Sequence, residues 1–404
     1  MRSTNPELNQ ISKETNPRVC MVVNQVYNTD TRVISYANTL ANVGIAVDVI
    51  GTKDTTSSPA NKNPRITVYP IPINRLYKSG FSYIVKSALS LFFFTVYLFI
   101  LYLKYHYEII HIHNMPDFLV LTATLPKLLG AKIILDIHDP MPEFYMSKFE
   151  KDRGSFAVRL LIFQERFSSR MANTIITANP TFKKLLVRRG LPSDKITIIN
   201  NIPDPEIFIR PKEANNRHAP FLLIYPGTIA PRYGLDLPIR ALPRLVENIP
   251  NIQIKIIGKR TDYGDELKRL AKKLQVGGHI QILPHLPAIQ IPREIAMADI
   301  GIYTALPDPH MSIAVPGKVL EYAVMGIPIV ASRLRVLEEL FDESSVLFFE
   351  PGNVSEFEGC VLKLYQDLSL KKRLVQQADI LFVKKYTWVD ELDKYVQLIH
   401  LLTA

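Results

Sequence analysis

The strongest constraint in this sequence is a strand–helix–strand grammar that runs through the chain twice. Residues 18–23 (RVCMVV) form a short apolar run rich in β-branched residues, the mark of a strand covered on both faces. Val33, Tyr36, Ala37 and Leu40 then follow helical spacing, Gly44 stops that helix, and 45–50 (IAVDVI) supplies a second strand. Parallel strands need a crossover, so this order predicts a βαβ unit. The pattern returns at 108–112 (EIIHI), in a helix over 117–130, and at 132–137 (KIILDI). A strand at 174–178, a helix over 180–189 and a strand at 195–199 complete the first half.

A Pro- and Asn-rich stretch, 202–220, interrupts the pattern, which then restarts. Strands are predicted at 221–225, 252–257, 279–283, 299–303 and 327–331, with helices over 235–248, 262–275, 290–297 and 316–325. The economical architecture is two α/β domains, residues 1–205 and 206–385, joined by a proline-containing linker. A ligand is expected between them, outside the carboxyl ends of the strands.

Charge is distributed unevenly over this frame. The chain has 404 residues and a formal net charge of +10. Residues 1–206 hold 24 basic and 16 acidic side chains, an excess of eight, and the remainder 24 and 22, an excess of two. Nucleic acid, an anionic membrane or an anionic substrate would each suit a basic half. Two cysteines, Cys20 and Cys360, give neither a disulfide framework nor metal-ligand spacing, and point to a reducing compartment. The first 16 residues are polar, without the apolar core of a signal peptide, and are expected to be a disordered start.

The most hydrophobic stretch is 87–103 (SALSLFFFTVYLFILYL). As a helix it would span about 25 Å at 1.5 Å per residue, short of the roughly 30 Å hydrocarbon core. The expectation is a helix buried in the first domain, or one dipped into a membrane face with Arg75, Lys78, Lys86 and Lys104 around it.

Two segments carry candidate chemistry. In 225–234 (YPGTIAPRYG), Gly227 permits close backbone approach and Arg232 supplies a cation near a helix start. A diphosphate would suit that pairing, although a purely structural turn reads the same way. In 315–326 (VPGKVLEYAVMG), Pro316 and Gly317 open a helix with Lys318 in its first turn and Glu321 one turn on. Helix-start amides and a cation can hold phosphates, while a carboxylate on the same face can accept a ribose diol. A solvated i, i+3 ion pair is the plain alternative. His111 and His113 share a strand face, but no third ligand stands at ligand spacing, so no metal is expected. His138, Asp139 and Glu143 can line a cleft or serve loop and helix ends, and His310, in the loop 305–315, can reach a donor sugar or be an exposed loop histidine without a role.

Taken in order, these segments resemble the GT-B glycosyltransferases of glycosyltransferase family 4. Asp30-Thr31-Arg32-Val33 is similar to a "D-x-R-V" start, 108–114 (EIIHIHN) to an "H-x-H" strand end, and 136–143 (DIHDPMPE) to the segment that follows. The run 174–208 resembles the family's lead into the linker, 225–234 its phosphate loop, 316–330 its glutamate helix, and 386–388 (YTW) its "F-S-W" box. The resemblance implies two Rossmann-like domains facing each other across a cleft, with a last helix, 386–404, returning to the N-terminal one. It implies sugar transfer from a nucleotide-diphosphate donor, with retention and no catalytic metal or other cofactor. By position, Gly227, Thr228, Arg232, Lys318 and Glu321 would bind the donor, with Glu321 on the ribose. His113 would line the reaction centre. Departures are Ile313, where the family has a first glutamate, Thr228 in place of an arginine and Tyr233 in place of a lysine. A subset of the family has a "P-x-K-x-x-E-Y" helix like 316–322, and Lys318 would then replace part of the lost charge.

The leading expectation is a cytoplasmic transferase, peripheral to the inner face of a membrane, moving a sugar from a UDP-sugar to a lipid-linked glycan. An epimerase or hydrolase of the same fold, or a non-enzymatic basic membrane-binding protein, are the alternatives. Nucleic acid is disfavoured for want of aromatic–basic interleaving, and a dehydrogenase because no G-x-G-x-x-G follows the first strand.

Overall fold

A computed structural model describes residues 18–53, 63–71, 81–211 and 220–403. The polar start, Arg75, Lys78 and the Lys86 side chain lie outside what it describes. The chain divides into two compact units, Met1–Asn200 with Glu391–Ala404, and Asn201–Asp390.

In the first unit the elements are β1 (Arg18–Val23), α1 (Thr31–Asn42), β2 (Ala46–Thr52), β3 (Ile66–Ile71), α2 (Phe81–Tyr105) and β4 (Ile109–His113). They continue as α3 (Thr124–Leu128), β5 (Lys132–Ile137), α4 (Met141–Phe149), α5 (Phe156–Met171), β6 (Thr174–Thr177), α6 (Pro180–Arg188) and β7 (Ile196–Ile198). The seven strands are parallel in the order β3-β2-β1-β4-β5-β6-β7. Chain order therefore reverses between β1 and β4, which is where an open α/β sheet leaves a crevice at its carboxyl edge. One polar side chain inside β2 needs a partner: buried Asp48 takes the Arg18 fork at 2.9 Å and the Tyr107 hydroxyl at 2.6 Å.

The apolar helix differs from its expected form. It runs 25 residues, not 17, and has two different faces. Phe94, Leu98, Leu101 and Tyr102 are buried in the core over β4 and β5, whereas Phe92, Ile100 and Leu103 are exposed. By length and composition it is able to cross a membrane, but that core would lose four side chains if it did. The helix expected over 117–130 opens as a 3-10 segment, Asp117–Ala123, before the short α3. Thr122 and Thr124 hydroxyls donate to carbonyls three residues back at 2.7 Å, and Pro126 has no N–H to continue an α pattern.

The second unit comprises β8 (Phe221–Pro226), α7 (Asp236–Asn248), β9 (Ile252–Ile257), α8 (Asp262–Lys273), β10 (Ile280–Leu283), α9 (Ile291–Ala296) and β11 (Ile300–Tyr303). There follow α10 (Gly317–Met325), β12 (Ile329–Ser332), α11 (Arg335–Glu338), β13 (Leu347–Phe349), α12 (Val354–Gln366) and α13 (Leu368–Ala378). Its parallel sheet has the order β10-β9-β8-β11-β12-β13, with the reversal between β8 and β11. Those two strands pair only at Leu223–Ile300 and Ile224–Gly301 before they diverge. Tyr322 of α10 fills the gap, its hydroxyl 3.1 Å from the Ile224 carbonyl and 3.3 Å from that of Ile302. Its ring fits because Gly301 has no Cβ, which would stand 2.4 Å from it.

The last helix, α14 (Trp388–Thr403), belongs with the first unit. Tyr395, Val396, Leu398 and Ile399 share a core with Val33, Tyr36 and Leu40 of α1. Asn200 donates to the Glu391 carboxylate from its backbone at 2.7 Å and from its side chain at 3.0 Å.

Candidate functional site

Both switch points carry chemistry. In the second unit, β8 runs out into Gly227, whose N–H donates to the Ile257 carbonyl at 2.8 Å. A Cβ there would lie 2.6 Å from Lys318 Cε, and one at Gly258 would lie 2.2 Å from the Gly227 carbonyl oxygen. These two glycines are what let the lysine and the loop meet. The loop then makes a 3-10 turn, Pro231–Tyr233, and closes at Gly234 with φ +57°, where a Cβ would meet the Thr304 carbonyl at 2.3 Å. Leu306 N–H to Arg232 O at 3.0 Å and Thr304 Oγ1 to Tyr233 O at 2.8 Å bind this turn to the end of β11.

That docking sets Arg232 against the loop after β11, where Asp308 accepts its Nη2 at 3.0 Å and His310 Nδ1 lies at 3.3 Å. Asp308 is itself fixed by the N–H groups of His310 and Met311. His310 is buried rather than an exposed loop residue. Arg232 thus already has a counter-ion. Thr228 is exposed and contributes its carbonyl to the Tyr225 hydroxyl at 3.1 Å. Ile313, half-buried, lies in the turn whose N–H bonds to the His310 carbonyl.

Lys318 stands in the first turn of α10, a helix with no side-chain cap on its leading amides. Its ammonium lies 5.2 Å from the Tyr225 ring centre, 5.1 Å from Tyr233 and 5.4 Å from Tyr303. Three aromatic faces shelter the cation without neutralising it. Burial lowers it to about 8, against the opposing pull of Glu321. Burial likewise pushes Glu321 up to about 7, against Lys318. Both side chains are part-buried, and neither is the solvated pair that i, i+3 spacing also allows. The arrangement is a cation, uncapped helix amides and a carboxylate beside a glycine turn. It can hold a phosphate and a vicinal diol.

In the first unit, strand register places Asp136 of β5 opposite His113 of β4. His113 Nδ1 lies 3.3 Å from Asp136 Oδ2, and Arg32 forks onto the same carboxylate at 2.9 and 3.1 Å. Burial alone would raise Asp136, but the Arg32 guanidinium and the His113 hydrogen bond hold it well below the usual carboxylate range. His111 Nδ1 lies 2.8 Å from the Tyr395 hydroxyl of α14. Burial and His113 hold His111 well below its ordinary value. The third group absent from the local spacing is therefore present: His111, His113 and Asp136 offer ligand atoms within 4.8 Å of one another. It comes from the neighbouring strand, which linear spacing cannot show. The Arg32 fork already satisfies that carboxylate, and a divalent ion would sit against the guanidinium. His138 Nδ1 lies 3.8 Å from Asp136. The Asp139 carbonyl accepts from Asn114 at 2.7 Å. Glu143, in the first turn of α4, is buried on Arg189, which also binds Glu165 at 2.7 Å.

A profile described as "Glycosyltransferase Family 4" matches residues 29–207, and one described as "Glycosyl transferases group 1" matches 207–380. The chain belongs to these glycosyltransferases. It is 32% identical over 136 residues to a GDP-mannose-dependent alpha-(1-6)-phosphatidylinositol monomannoside mannosyltransferase of Mycolicibacterium smegmatis, covering 32% of this chain and 35% of that one. The chain thus matches about a third of the length of that curated relative. Its fold resembles sucrose-phosphate synthase of Thermosynechococcus elongatus, with TM-score 0.79, 15% identity and coverage of 96% and 99%. It also resembles Anabaena HepE in complex with UDP-glucose, with TM-score 0.70, 14% identity and coverage of 95% and 99%. Two parallel Rossmann-like units are the GT-B architecture of this glycosyltransferase class. Within this glycosyltransferase, the residue patterns and the family resemblance together point to His113, Gly227, Thr228, Arg232, Lys318 and Glu321. They missed the tyrosine shelter, Asp308 and the Asp136–Arg32 pair. Arg32 and Asp136 do stand in the quoted motif segments, which is the one signal that could have found them.

Proposed function

We propose that this glycosyltransferase moves a sugar, with retention and without a catalytic metal, from a nucleoside-diphosphate donor to a membrane-linked glycan. The observation that carries the donor side is Lys318, sheltered but not neutralised, beside Glu321 and Gly227 at the switch point of the second unit. Lys318 would meet the diphosphate and stabilise it as it leaves, with Arg232 in support, and Glu321 would accept the ribose hydroxyls. Uridine is the first choice of base, with guanosine next; HepE was solved with UDP-glucose and the mycobacterial relative is named for GDP-mannose. A melting screen against UDP, GDP, ADP and dTDP should raise the midpoint for the native nucleotide by an amount that grows with ligand concentration. No shift with any of the four overturns the donor assignment.

The acceptor side rests on the first unit. Helices α2 and α5 both pack on the 3-10 segment between them and turn apolar residues outward, among them Phe92, Ile100, Phe156, Leu160 and Phe163. Exposed Lys104, Lys148, Lys151, Arg159, Arg166 and Arg170 lie on or beside these helices. Apolar stripes flanked by cations suit the face of an anionic bilayer, where the cytoplasmic leaflet supplies the charge. The 404-residue chain is expected to sediment with phosphatidylglycerol-containing vesicles and not with phosphatidylcholine ones. Phe163→Asp with Leu160→Asp should weaken that by about tenfold or more. Equal sedimentation with both lipids, or none with either, removes the membrane part and leaves the donor part standing.

A further inference from the structure

We infer that Arg32 and Asp136 are positioning residues for His113, fixing its imidazole as the Nδ1–H tautomer so that Nε2 is left to accept a hydrogen bond from a substrate hydroxyl. The inference rests on the expectation from the sequence that His113 lines the reaction centre, and its test separates the two.

The argument starts from the carboxylate. Asp136 is fully buried, and its two oxygens take the Arg32 fork. An ionised carboxylate is an acceptor only, so the hydrogen between Asp136 and His113 must be carried by Nδ1. In a neutral imidazole the other nitrogen is then a bare lone pair. His113 Nε2 is buried and has no hydrogen-bond partner among the described residues. Buried polar atoms in folded proteins are paired as a rule, so a bare acceptor at the carboxyl end of β4 calls for a donor from outside the chain. A substrate hydroxyl is the donor that sugar chemistry supplies at such a place.

The neighbours hold the ring as well as the proton. Arg32 lies in the first turn of α1 and Tyr36 one turn on, so both face β4. The Tyr36 ring stacks on His113 at 6.0 Å and 28°, and the Arg32 guanidinium lies 5.1 Å from the Tyr36 ring centre. His111 packs against both rings, with its centre 4.0 Å from that of His113 and 5.4 Å from that of Tyr36. Tyr395 fixes His111 Nδ1, so the return helix α14 completes the shell. A lysine at position 32 keeps the charge but loses the fork that holds both oxygens.

Histidine-labelled protein gives a direct readout, because two-bond 1H–15N spectra distinguish the tautomers. His113→Gln identifies the signal. The expected wild-type pattern is Nδ1–H, and Asp136→Asn should convert it to Nε2–H because an amide N–H can then face Nδ1. In transfer assays Asp136→Asn should lower kcat by about 100-fold with little change in the donor KM. Arg32→Lys should retain more activity than Arg32→Gln. An Nε2–H pattern in the wild type overturns the inference without any variant having to fold, as does an unchanged tautomer in a folded Asp136→Asn. Full activity of His113→Gln with the Nδ1–H pattern intact would instead remove His113 from the reaction and leave the positioning geometry standing.

Discussion

Replacing Glu321 with alanine is expected to lower kcat/KM for transfer by about 100- to 1000-fold while leaving the protein folded. Two charge-assisted hydrogen bonds to a ribose diol at about 1.5–2 kcal/mol each, the lower end for such bonds, total about 3–4 kcal/mol, which is that range. The fold should not suffer, because Glu321 has no hydrogen-bond or ion-pair partner among the described residues. Its carboxyl is pushed up to about 7 by burial. A group with a raised folded-state value supports the fold at low pH, and that support is lost as pH rises through 7. At pH 8 the alanine variant should therefore melt at or above the wild-type temperature. A second consequence is electrostatic: Glu321 is the charge that supports protonation of Lys318. Without it, nucleotide affinity at pH 8 should fall as well. Full transfer activity in this variant would remove Glu321 from the donor site.

Lys318→Met is expected to weaken nucleoside-diphosphate binding by about 100-fold at pH 7 and to abolish its alkaline dependence. In the free protein the ammonium is lowered to about 8. Above that pH, binding an anion requires uptake of a proton, so affinity should fall about tenfold per pH unit. Calorimetric titrations from pH 7 to 9.5 should show that slope in the wild type and a flat line in the variant. Methionine keeps the unbranched stem among the three tyrosines, so the shelter stays filled. The lowered value also means that the charged lysine disfavours the fold below pH 8, and the variant should be no less stable at pH 7. A wild type without the alkaline slope would sink the assignment. Arg232 is expected to matter less, since Asp308 already neutralises it at 3.0 Å.

The strands and the helices between them were legible to different degrees for a physical reason. A strand covered on both faces reads as a nearly unbroken apolar run, and β1, β5 and β8 match their predicted spans to within a residue, while β9 is matched through alternation, with Gln253 and Lys255 half-buried between isoleucines. Strand β3 went unread because it is an edge strand whose exposed Thr67 and Pro70 fall on opposite faces, so neither an apolar run nor a clean alternation marks it. Three-residue β13 is too short to show a period. The outward apolar faces of α2 and α5 were invisible for the opposite reason. Hydrophobicity in sequence does not say which side of a helix meets the sheet.

The sequence by itself determined the βαβ order, the family and the local segments that carry Gly227, Lys318, Glu321 and His113, because each depends on residues within a turn or a strand of one another. Only the tertiary structure decided which groups act together. Strand register set Asp136 beside His113, and helix docking set Arg32 on that carboxylate and Tyr395 on His111. The divergence of β8 and β11, with the loop after β8 docked on the end of β11, gathered Tyr225, Tyr233 and Tyr303 around one ammonium. Asp308 pairs with Arg232 at 3.0 Å, whereas Lys318 has the Glu321 charge near it and no ion-pair contact among the described residues. Such pairings join positions from 23 to 284 residues apart, as in Asp136 with His113 and Tyr395 with His111. Local propensity has no access to that range, because burial in a shared core and not chain proximity selects the partners.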